Sequence, residues 1–403
     1  MSGVIHMAKR RVLITEYVMS CYREDDDTYY DLLPEALAMV KSLEETLTHV
    51  GIDAYITVSG HLKEIMPLFK NTVSINPFDC INELGKFNEL GKFTGEFDNV
   101  IAIAPPRELM IIADIFGERL IQQPPNLVKE LSSKYGVVKY LENCGVKVPK
   151  TIMVSDGNLR EEVIDIPFKA PFVVKPALLA GSECVYVVRG GHYSTNRILA
   201  IVNEVIKCDP SGNAVLQEYV DGIHGSVSVV YGAYGPSFYS LNLQLISIEN
   251  DRLSFLGGIL PVRDYEVVDE ARELVNTVYR CFPSIRGYVG FDVVWNDAGI
   301  YVVEMNMRPT TSIVGIVQLY PEFGRHLIDE RGDPLMYLGD VTPETAYYLV
   351  LDRSVGIKAS NTKTIRINNA GKRVVVGKEK SMKDVYRIIK PLLNNLAYDL
   401  EQT

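Results

Sequence analysis

The stretch GFDVVWNDAGIYVVEMNMRP, residues 290–309, carries the most specific pattern in the chain. It predicts two strands joined by the loop Asp297-Ala298-Gly299, since a three-residue loop with glycine in the left-handed position is a favoured hairpin connection. This loop pairs Asn296 with Ile300. The sequence therefore predicts an antiparallel hairpin here.

The register of this hairpin predicts which side chains meet. Counting back from the loop places Asp292 opposite Glu304, and Asn306 joins Glu304 because side chains alternate between the faces of a strand. The other face is expected to be the core side, with Phe291, Val293, Trp295, Tyr301, Val303 and Met305. Two carboxylates and one amide oxygen therefore converge on one face.

These three oxygen-bearing side chains predict a magnesium site. Unpaired carboxylates are costly to bury, whereas Mg²⁺ prefers oxygen ligands and often shares them with substrate phosphates. The alternative is a solvated face with scattered acids, but EMNMR, residues 304–308, is an unusual composition for such a face. Arg308, directly after this cluster, is expected to face a phosphate or a developing oxyanion.

Two lysines are candidates for phosphate binding. Lys175 ends an apolar strand before a turn of small residues that includes Gly181 and Ser182, and free N–H groups in such a turn can bind phosphate. Lys134 lies at a predicted helix start. For each lysine alone, an ordinary surface or strand-end charge is the favoured alternative. The GxxxxGK[ST] pattern is absent, so this is not a Walker A loop.

The sequence QEYVDG, residues 217–222, ends a predicted strand and runs into a turn. A backbone hinge at this place offers an amide and a carbonyl to a purine edge, with Glu218 accepting from an exocyclic amine. The alternative is a strand that ends in a plain turn.

Arg263 is the candidate for binding a substrate carboxylate. It follows GGILPV, which is predicted as a loop between strands, and loops often carry function. Arginine offers a carboxylate a bidentate fork. The alternative is a surface arginine that pairs with Asp264 or Glu266.

The pattern of elements predicts a fold of class α/β plus α+β in three parts. Residues 1–118 alternate strands and helices, which favours a parallel sheet. Residues 119–219 are predicted to hold linker helices and a small lid, and residues 220–403 an antiparallel sheet with a C-terminal extension. No GxGxxG follows the first strand, so dinucleotide binding is not supported.

The composition is that of an ordinary globular protein: 403 residues, 47% apolar and 23% charged, with a formal net charge of −10. This acidity argues against a nucleic-acid partner, and no apolar run is long enough for a membrane span. The six cysteines show no CxxC pair, so neither a zinc site nor a disulfide framework is expected. A cytoplasmic location is therefore expected. A homodimer is the expected assembly.

These signals, in this order, resemble the ATP-grasp superfamily, most strongly over residues 125–315. The hairpin is similar to that family's magnesium site, FVVKPALLAGSE to its second ATP lysine and flexible loop, and VLQEYVDG to its adenine hinge. The resemblance implies an N-terminal parallel-sheet domain, a lid and an antiparallel C-terminal sheet, with ATP between the last two. LLPEALAMVKSLEETL further resembles a group of archaeal amide-forming ligases, the tyramine–glutamate ligase-like proteins.

The resemblance also implies a role for each candidate residue. ATP phosphates would contact Lys134, Lys175, Gly181 and Ser182, and adenine would contact Glu218 and Val220. Two Mg²⁺ ions would bind Asp292, Glu304 and Asn306. Arg308 would stabilise the transferred group. Mn²⁺ is expected to substitute for Mg²⁺. Where many relatives hold the ribose with a glutamate, this chain has His224, so either Asp221 takes the ribose or the nucleotide sits differently.

The implied function is an ATP-dependent carbon–nitrogen ligase for small molecules. ATP would phosphorylate a carboxylate, expected to be that of an amino acid, and an amine would attack the acylphosphate, releasing phosphate after ADP. One alternative is a kinase of the same fold that phosphorylates a hydroxyl. A nucleotide-binding regulator without turnover is disfavoured by the intact Asp292, Glu304, Asn306 and Arg308.

Overall fold

The computed structural model describes most of the chain. The described residues are 9–24, 27–80, 88–121, 123–155, 166–179, 183–189, 194–328, 333–357, 359, 362–367 and 370–392.

The N-terminal part is a small parallel sheet with helices. Its strands are β1 Arg11–Glu16, β2 Asp53–Ser59, β3 Thr72–Ile75 and β4 Asn99–Ile103, and its helices are α1 Tyr17–Cys21, α2 Leu33–His49, α3 Asn88–Gly91 and α4 Pro106–Phe116. The sheet order is β3-β2-β1-β4, and the pairings are parallel. Apolar residues spaced three and four apart give α2 a buried face. The predicted parallel sheet is confirmed.

Two helices, α5 Pro125–Leu131 and α6 Lys134–Asn143, lead into a small α+β unit. This unit consists of β5 Thr151–Ser155, β6 Phe172–Pro176, β7 Tyr186–Val188, α7 Thr195–Cys208 and β8 Asn213–Glu218. Its strands are arranged β7-β6-β8-β5 and pack on α7 around a separate apolar core. It is the small unit that the sequence predicted as a lid, and we call it the lid.

Long antiparallel strands dominate the C-terminal part. They are β9 Ile223–Gly232, β10 Gly235–Glu249, β11 Arg252–Leu260, β12 Gly287–Asn296, β13 Gly299–Asn306, β14 Met336–Tyr337, β15 Thr345–Asp352, β16 Thr362–Ile365 and β17 Lys372–Glu379. The helices are α8 Tyr265–Cys281, α9 Ile313–Leu319, α10 Gly324–Ile328, α11 Leu338–Val341 and α12 Met382–Ile389. In the described residues, no helix has both the length and the apolarity that crossing a bilayer requires.

One continuous sheet joins the lid to the C-terminal part. Its main path is β13-β12-β9-β10-β11, and β11 continues through β7 into the lid strands. Strand β15 pairs with both β11 and β17. The predicted antiparallel C-terminal sheet is therefore confirmed, whereas the predicted boundaries at residues 118 and 219 stay predictions.

The N-terminal part packs on the C-terminal part through a shared apolar core. Leu37 and Val40 of α2 belong to the same buried cluster as Val317 of α9 and Val374 of β17. Burying these side chains together contributes about 1.5–3 kcal/mol for each one. This packing brings the start of α2 close to the start of β17.

One segment predicted as a loop is a strand. Residues 257–260, GGIL, lie inside β11 and pair with β15. A Cβ atom at Gly257 would overlap the backbone oxygen of Tyr348, and one at Gly258 would lie 2.6 Å from the Tyr348 hydroxyl. The two glycines therefore permit the close approach of β15 and do not mark a turn.

The expectation that the six cysteines form no disulfides is wrong. The structure pairs Cys21 with Cys80, Cys144 with Cys281 and Cys184 with Cys208, at Cα–Cα distances of 5.5, 5.9 and 6.6 Å. The partners are 24 to 137 positions apart in sequence, so the fold and not local spacing brings them together. Disulfides persist in oxidising compartments and also inside some hyperthermophiles. The cytoplasmic location thus stays a prediction.

Candidate active site

The predicted hairpin is present, with a shorter loop. Asn296 pairs with Gly299, so the connection has two residues instead of three. A β-bulge directly after Asp292 then shifts the register, and Asp292 still lies opposite Glu304. The predicted meeting of the two carboxylates is right, although the predicted loop is not. β-Bulges commonly occur next to active sites, where they re-aim a side chain.

The bulge corrects the predicted faces of β13. Val302 and Ile300 pack in the core, where Val303 and Tyr301 were expected. Val303 is the extra residue of the bulge and lines a cavity instead. Alternation alone could not predict this, because one inserted residue moves every later side chain to the opposite face.

Asp292 is held by two amide side chains. Gln244 of β10 donates from Nε2 to Oδ1 at 2.7 Å, and Asn306 donates from Nδ2 to Oδ2 at 3.3 Å. Burial and the nearby Glu304 carboxylate raise the pKa of Asp292 above its ordinary value. A divalent cation at this place would relieve that repulsion. Two carboxylates and one amide form a donor set that fits Mg²⁺ when substrate phosphates complete the coordination.

Glu304 is paired with Lys134 at the start of α6. Lys134 Nζ lies 3.0 Å from Glu304 Oε1 and donates to the carbonyl of Leu179 at 2.7 Å. The Ser133 side chain caps the N-terminus of α6 and so fixes the backbone that carries Lys134. Burial acts to raise the pKa of Glu304, but Lys134 and Lys175 lower it below its ordinary value. Glu304 is therefore ionised at neutral pH.

Lys175 projects from β6 into the same space. Its Nζ donates to Gln217 Oε1 at 2.9 Å and to the carbonyl of Val303 at 3.0 Å. Burial lowers its pKa to about 8. Both lysines predicted to bind phosphate thus lie beside the predicted metal ligands.

A cavity of about 550 Å³ contains these residues. We call the part lined by these lysines and carboxylates and by a set of valines the nucleotide end; the valines, which we call the valine slot, are Val173, Val185, Val220, Val294 and Val303. Glu218 and His224 also line the cavity. Burial lowers the pKa of His224 to about 4, so its imidazole is neutral at pH 7.

Charged residues from outside the hairpin also line the cavity, and we call the part that they line the distal end. Asp31 and Glu35 come from the N-terminal part, and Lys372 is the first residue of β17. Arg308 also lines the cavity; it donates to the carbonyl of Pro309 at 3.2 Å and forms no ion pair with a described residue. The cavity thus joins an apolar slot, a carboxylate–lysine cluster and a charged end.

One predicted ATP residue is not at the cavity, and two others are not described by the structure. Asp221 is exposed and does not line it, and its carbonyl accepts a hydrogen bond from Asn296 Nδ2 at 2.7 Å. Gly181 and Ser182 lie outside the described residues. Their predicted roles therefore stay predictions.

Arg263 is placed elsewhere. Its guanidinium donates to Thr345 Oγ1 at 3.1 Å and to the carbonyls of Thr342 and Glu344 at 2.8 Å each. It lines a separate cavity with Trp295, whose side chain belongs to the core side of β12. These bonds tie the end of β11 to the start of β15. The position does not support a substrate-binding role, and we do not propose one for Arg263.

Two glutamines of the site were not singled out from sequence. Gln217 orients Lys175, and Gln244 orients Asp292. Gln244 stands inside SLNLQLISI, a mostly buried part of β10 in which polar and apolar residues nearly alternate. A polar side chain in a buried strand is the signal that could have revealed it, because such groups need a buried partner.

Residues 131–312 match the ATP-grasp domain family. The chain contains an ATP-grasp domain. The matched residues include both lysines, the hinge at Glu218 and the hairpin that carries Asp292 and Glu304.

Solved structures resemble this protein over nearly the whole chain. A protein from Archaeoglobus fulgidus, described as a member of the ATP-grasp superfamily, superposes with a TM-score of 0.61 at 19% identity and covers 92% of this chain and 100% of its own. The L-amino acid ligase from Bacillus licheniformis gives a TM-score of 0.67 at 13% identity, with coverages of 97% and 98%. These likenesses show the ATP-grasp fold.

A sequence relative is the tyramine–L-glutamate ligase of Methanocaldococcus jannaschii. It is 36% identical over 104 residues, which are 26% of this chain and 32% of the relative. The match thus spans about a third of that protein's length.

Proposed function

We propose that this protein is an ATP-dependent ligase that joins a carboxylate to an amine and forms ADP and phosphate. The observation that carries the proposal is one cavity with two chemically different ends. The ATP-grasp domain supplies the lysines and carboxylates of one end, and the rest of the chain supplies Asp31, Glu35 and Lys372 at the other. Nucleotide binding alone does not require the distal end.

ATP would enter with adenine in the valine slot and phosphates towards the hairpin. Lys175 and Lys134 would exchange their present partners for phosphate oxygens, since an ammonium binds phosphate as a point charge. Glu218 and Val220 would hold the adenine edge. His224 lines the cavity and Asp221 does not, so we assign the ribose to the region of His224.

Asp292, Glu304 and Asn306 would hold Mg²⁺, with two ions as the proposed number and Mn²⁺ as a substitute. The metal would neutralise phosphate charge and polarise the γ-phosphoryl group. Gln244 would keep Asp292 oriented towards the metal. Arg308 would stabilise the charge that develops on the transferred group.

The reaction needs no covalent bond to the protein. A carboxylate oxygen of the acid attacks the γ-phosphorus, and the bond to the β-bridging oxygen breaks, which leaves ADP and an acylphosphate. The amine nitrogen then attacks the acyl carbon and loses a proton. The acyl C–O bond breaks, and its oxygen leaves as part of phosphate. The protein's tasks are to orient the reactants and to keep water from the acylphosphate.

The name of the sequence relative supplies the first substrates to test. Tyramine and L-glutamate are the substrates that the name of the Methanocaldococcus jannaschii protein gives. We therefore propose a small primary amine and an amino acid as the substrate classes here.

An ADP-release assay tests the proposal. The purified protein is given Mg·ATP with each of the twenty L-amino acids, with and without tyramine, and the nucleotide products are separated by chromatography. ADP that requires both an acid and an amine supports the ligase, and hydroxylamine should trap the acid as a hydroxamate. ADP together with a phosphorylated hydroxyl compound would indicate a kinase. AMP and pyrophosphate as the main products would overturn the acylphosphate route.

A further inference from the structure

Two segments that lie far apart in the sequence form the distal end of the cavity. Asp31 precedes α2, and its Oδ1 accepts a hydrogen bond from the backbone N–H of Gly371 at 2.9 Å. Lys372 follows Gly371 and lines the cavity with Asp31 and Glu35. None of the three belongs to the matched ATP-grasp domain.

Lys372 forms no ion pair with any residue that the structure describes. The residue is partly buried, and no described carboxylate lies within 4.0 Å of its ammonium. Its cross-strand partner Asp352 is exposed and forms no ion pair with it. On the same strand, Lys378 pairs with Glu344 at 2.8 Å. A partly buried lysine that lines a cavity and has no ion-pair partner favours an anionic ligand.

Glu35 presents the opposite charge from a fixed position. It accepts a hydrogen bond from the Thr311 hydroxyl. The residues on either side of Thr311 are anchored below the cavity: Thr310 Oγ1 lies 2.9 Å from Tyr288 Oη, and Ser312 Oγ lies 3.3 Å from Ser226 Oγ. The hydrogen bond from Thr311 therefore orients the Glu35 carboxylate at the cavity wall.

We propose that the distal end selects the acid substrate: Lys372 binds a carboxylate other than the one that reacts, and Glu35 with Asp31 binds an ammonium group. This inference rests on the proposed function. It assigns the choice of acid to residues outside the ATP-grasp domain and predicts an acid that carries two carboxylates and one ammonium.

Analogues that lack one group each test the assignment. L-Glutamate carries all three groups, 4-aminobutyrate lacks one carboxylate, and glutarate lacks the ammonium. Steady-state kinetics with tyramine should show that Lys372→Gln raises the KM for L-glutamate about tenfold or more, without changing the KM for 4-aminobutyrate or for ATP. Glu35→Gln should raise the KM for L-glutamate and leave that for glutarate unchanged.

Matched controls exist on the same elements. Lys378→Gln changes a lysine on the same strand that pairs with Glu344, and Glu45→Gln changes a glutamate of α2 that pairs with Lys363 at 2.9 Å. Both controls should keep wild-type constants for every acid. An equal rise in the KM for L-glutamate and 4-aminobutyrate in Lys372→Gln, or no rise at all, would overturn the role of Lys372.

The two proposals fail differently. If the wild type forms amides only from acids with one carboxylate, the distal-end proposal is wrong and the ligase proposal stands. If no pair of acid and amine releases ADP, both proposals fall.

Discussion

At its nucleotide end, the cavity is built by one continuous domain, residues 131–312. At its distal end, the cavity is lined by Asp31 and Lys372, whose segments touch because Asp31 accepts a hydrogen bond from Gly371, 340 positions away. The first end carries charges that already have partners, such as Lys134 with Glu304 at 3.0 Å. The second end carries Lys372, which has no ion pair among the described residues.

This difference separates the residues proposed to act on ATP from those proposed to select the acid substrate. Paired lysines and carboxylates keep a buried site stable before ligands arrive, since a buried charge is costly unless it is compensated. A cation at the cavity wall that has no ion-pair partner can instead pair with an anionic group of the substrate. Substitutions at the nucleotide end should therefore affect every substrate, and substitutions at the distal end should affect the acid.

The largest effect is expected from Glu304→Gln. The change keeps the side-chain volume but removes a negative charge from the proposed metal site and from the pair with Lys134. Turnover should fall by about a hundredfold or more with every acid. Glu273→Gln, on the exposed surface beside Arg280, is the matched control. Near-normal turnover at saturating Mg²⁺ would show that the hairpin is not the metal site.

Lys175→Met should weaken ATP binding next most strongly. The variant keeps an apolar stem but loses a charge-assisted contact worth about 1.5–3 kcal/mol, which is roughly ten- to hundredfold in affinity. Calorimetric titration with ATP measures this loss, and Lys129→Met, which removes an exposed lysine paired with Asp114, is its control. Equal affinities for the wild type and Lys175→Met would leave Lys175 as a strand-end charge.

Gln244→Leu should affect the metal more than the nucleotide. Losing the 2.7 Å bond to Asp292 removes the group that orients this ligand. Mn²⁺ affinity, followed by electron paramagnetic resonance, should fall about tenfold. Gln318→Leu on α9 controls for the loss of a glutamine. If Mn²⁺ affinity is unchanged while thermal stability drops, Gln244 has a structural role only.

The smallest effect is expected from pH. Lys175 has a pKa of about 8 before ligands bind, and only its protonated form attracts phosphate. ATP affinity should therefore be highest below pH 8 and fall about fourfold between pH 7 and 8.5. Calorimetry across this range should show the slope in the wild type and not in Lys175→Met. A slope of the same size in the variant would assign the titration to another group.

The nucleotide end was predictable because its information is local. Asp292 and Glu304 lie in one hairpin, and the predicted pairing was right even though a two-residue loop and a bulge replaced the expected three-residue loop. The bulge itself was not predictable, because backbone irregularities depend on neighbouring strands. Val303 was therefore assigned to the wrong face.

The distal end was not predictable from local pattern. Nothing in the sequence around Asp31 or Lys372 shows that α2 packs on β17; the shared apolar core decides it. Arg263 was singled out as a substrate residue because the glycines before it resemble a loop, whereas they lie in β11. The disulfides were not predicted because their partners are far apart in sequence; Cys144 and Cys281, for example, are separated by 137 positions. The homodimer and the cytoplasmic location remain predictions.

Oxygen-18 transfer tests the central claim most directly. L-Glutamate labelled with ¹⁸O in its carboxylates is incubated with Mg·ATP, tyramine and the wild-type protein, and the released phosphate is analysed by mass spectrometry. An acylphosphate passes one carboxylate oxygen to phosphate when the amine displaces it, so we predict one ¹⁸O atom per phosphate and ADP in equal amount. Unlabelled phosphate accompanying amide formation, or ¹⁸O recovered in AMP, would contradict the account.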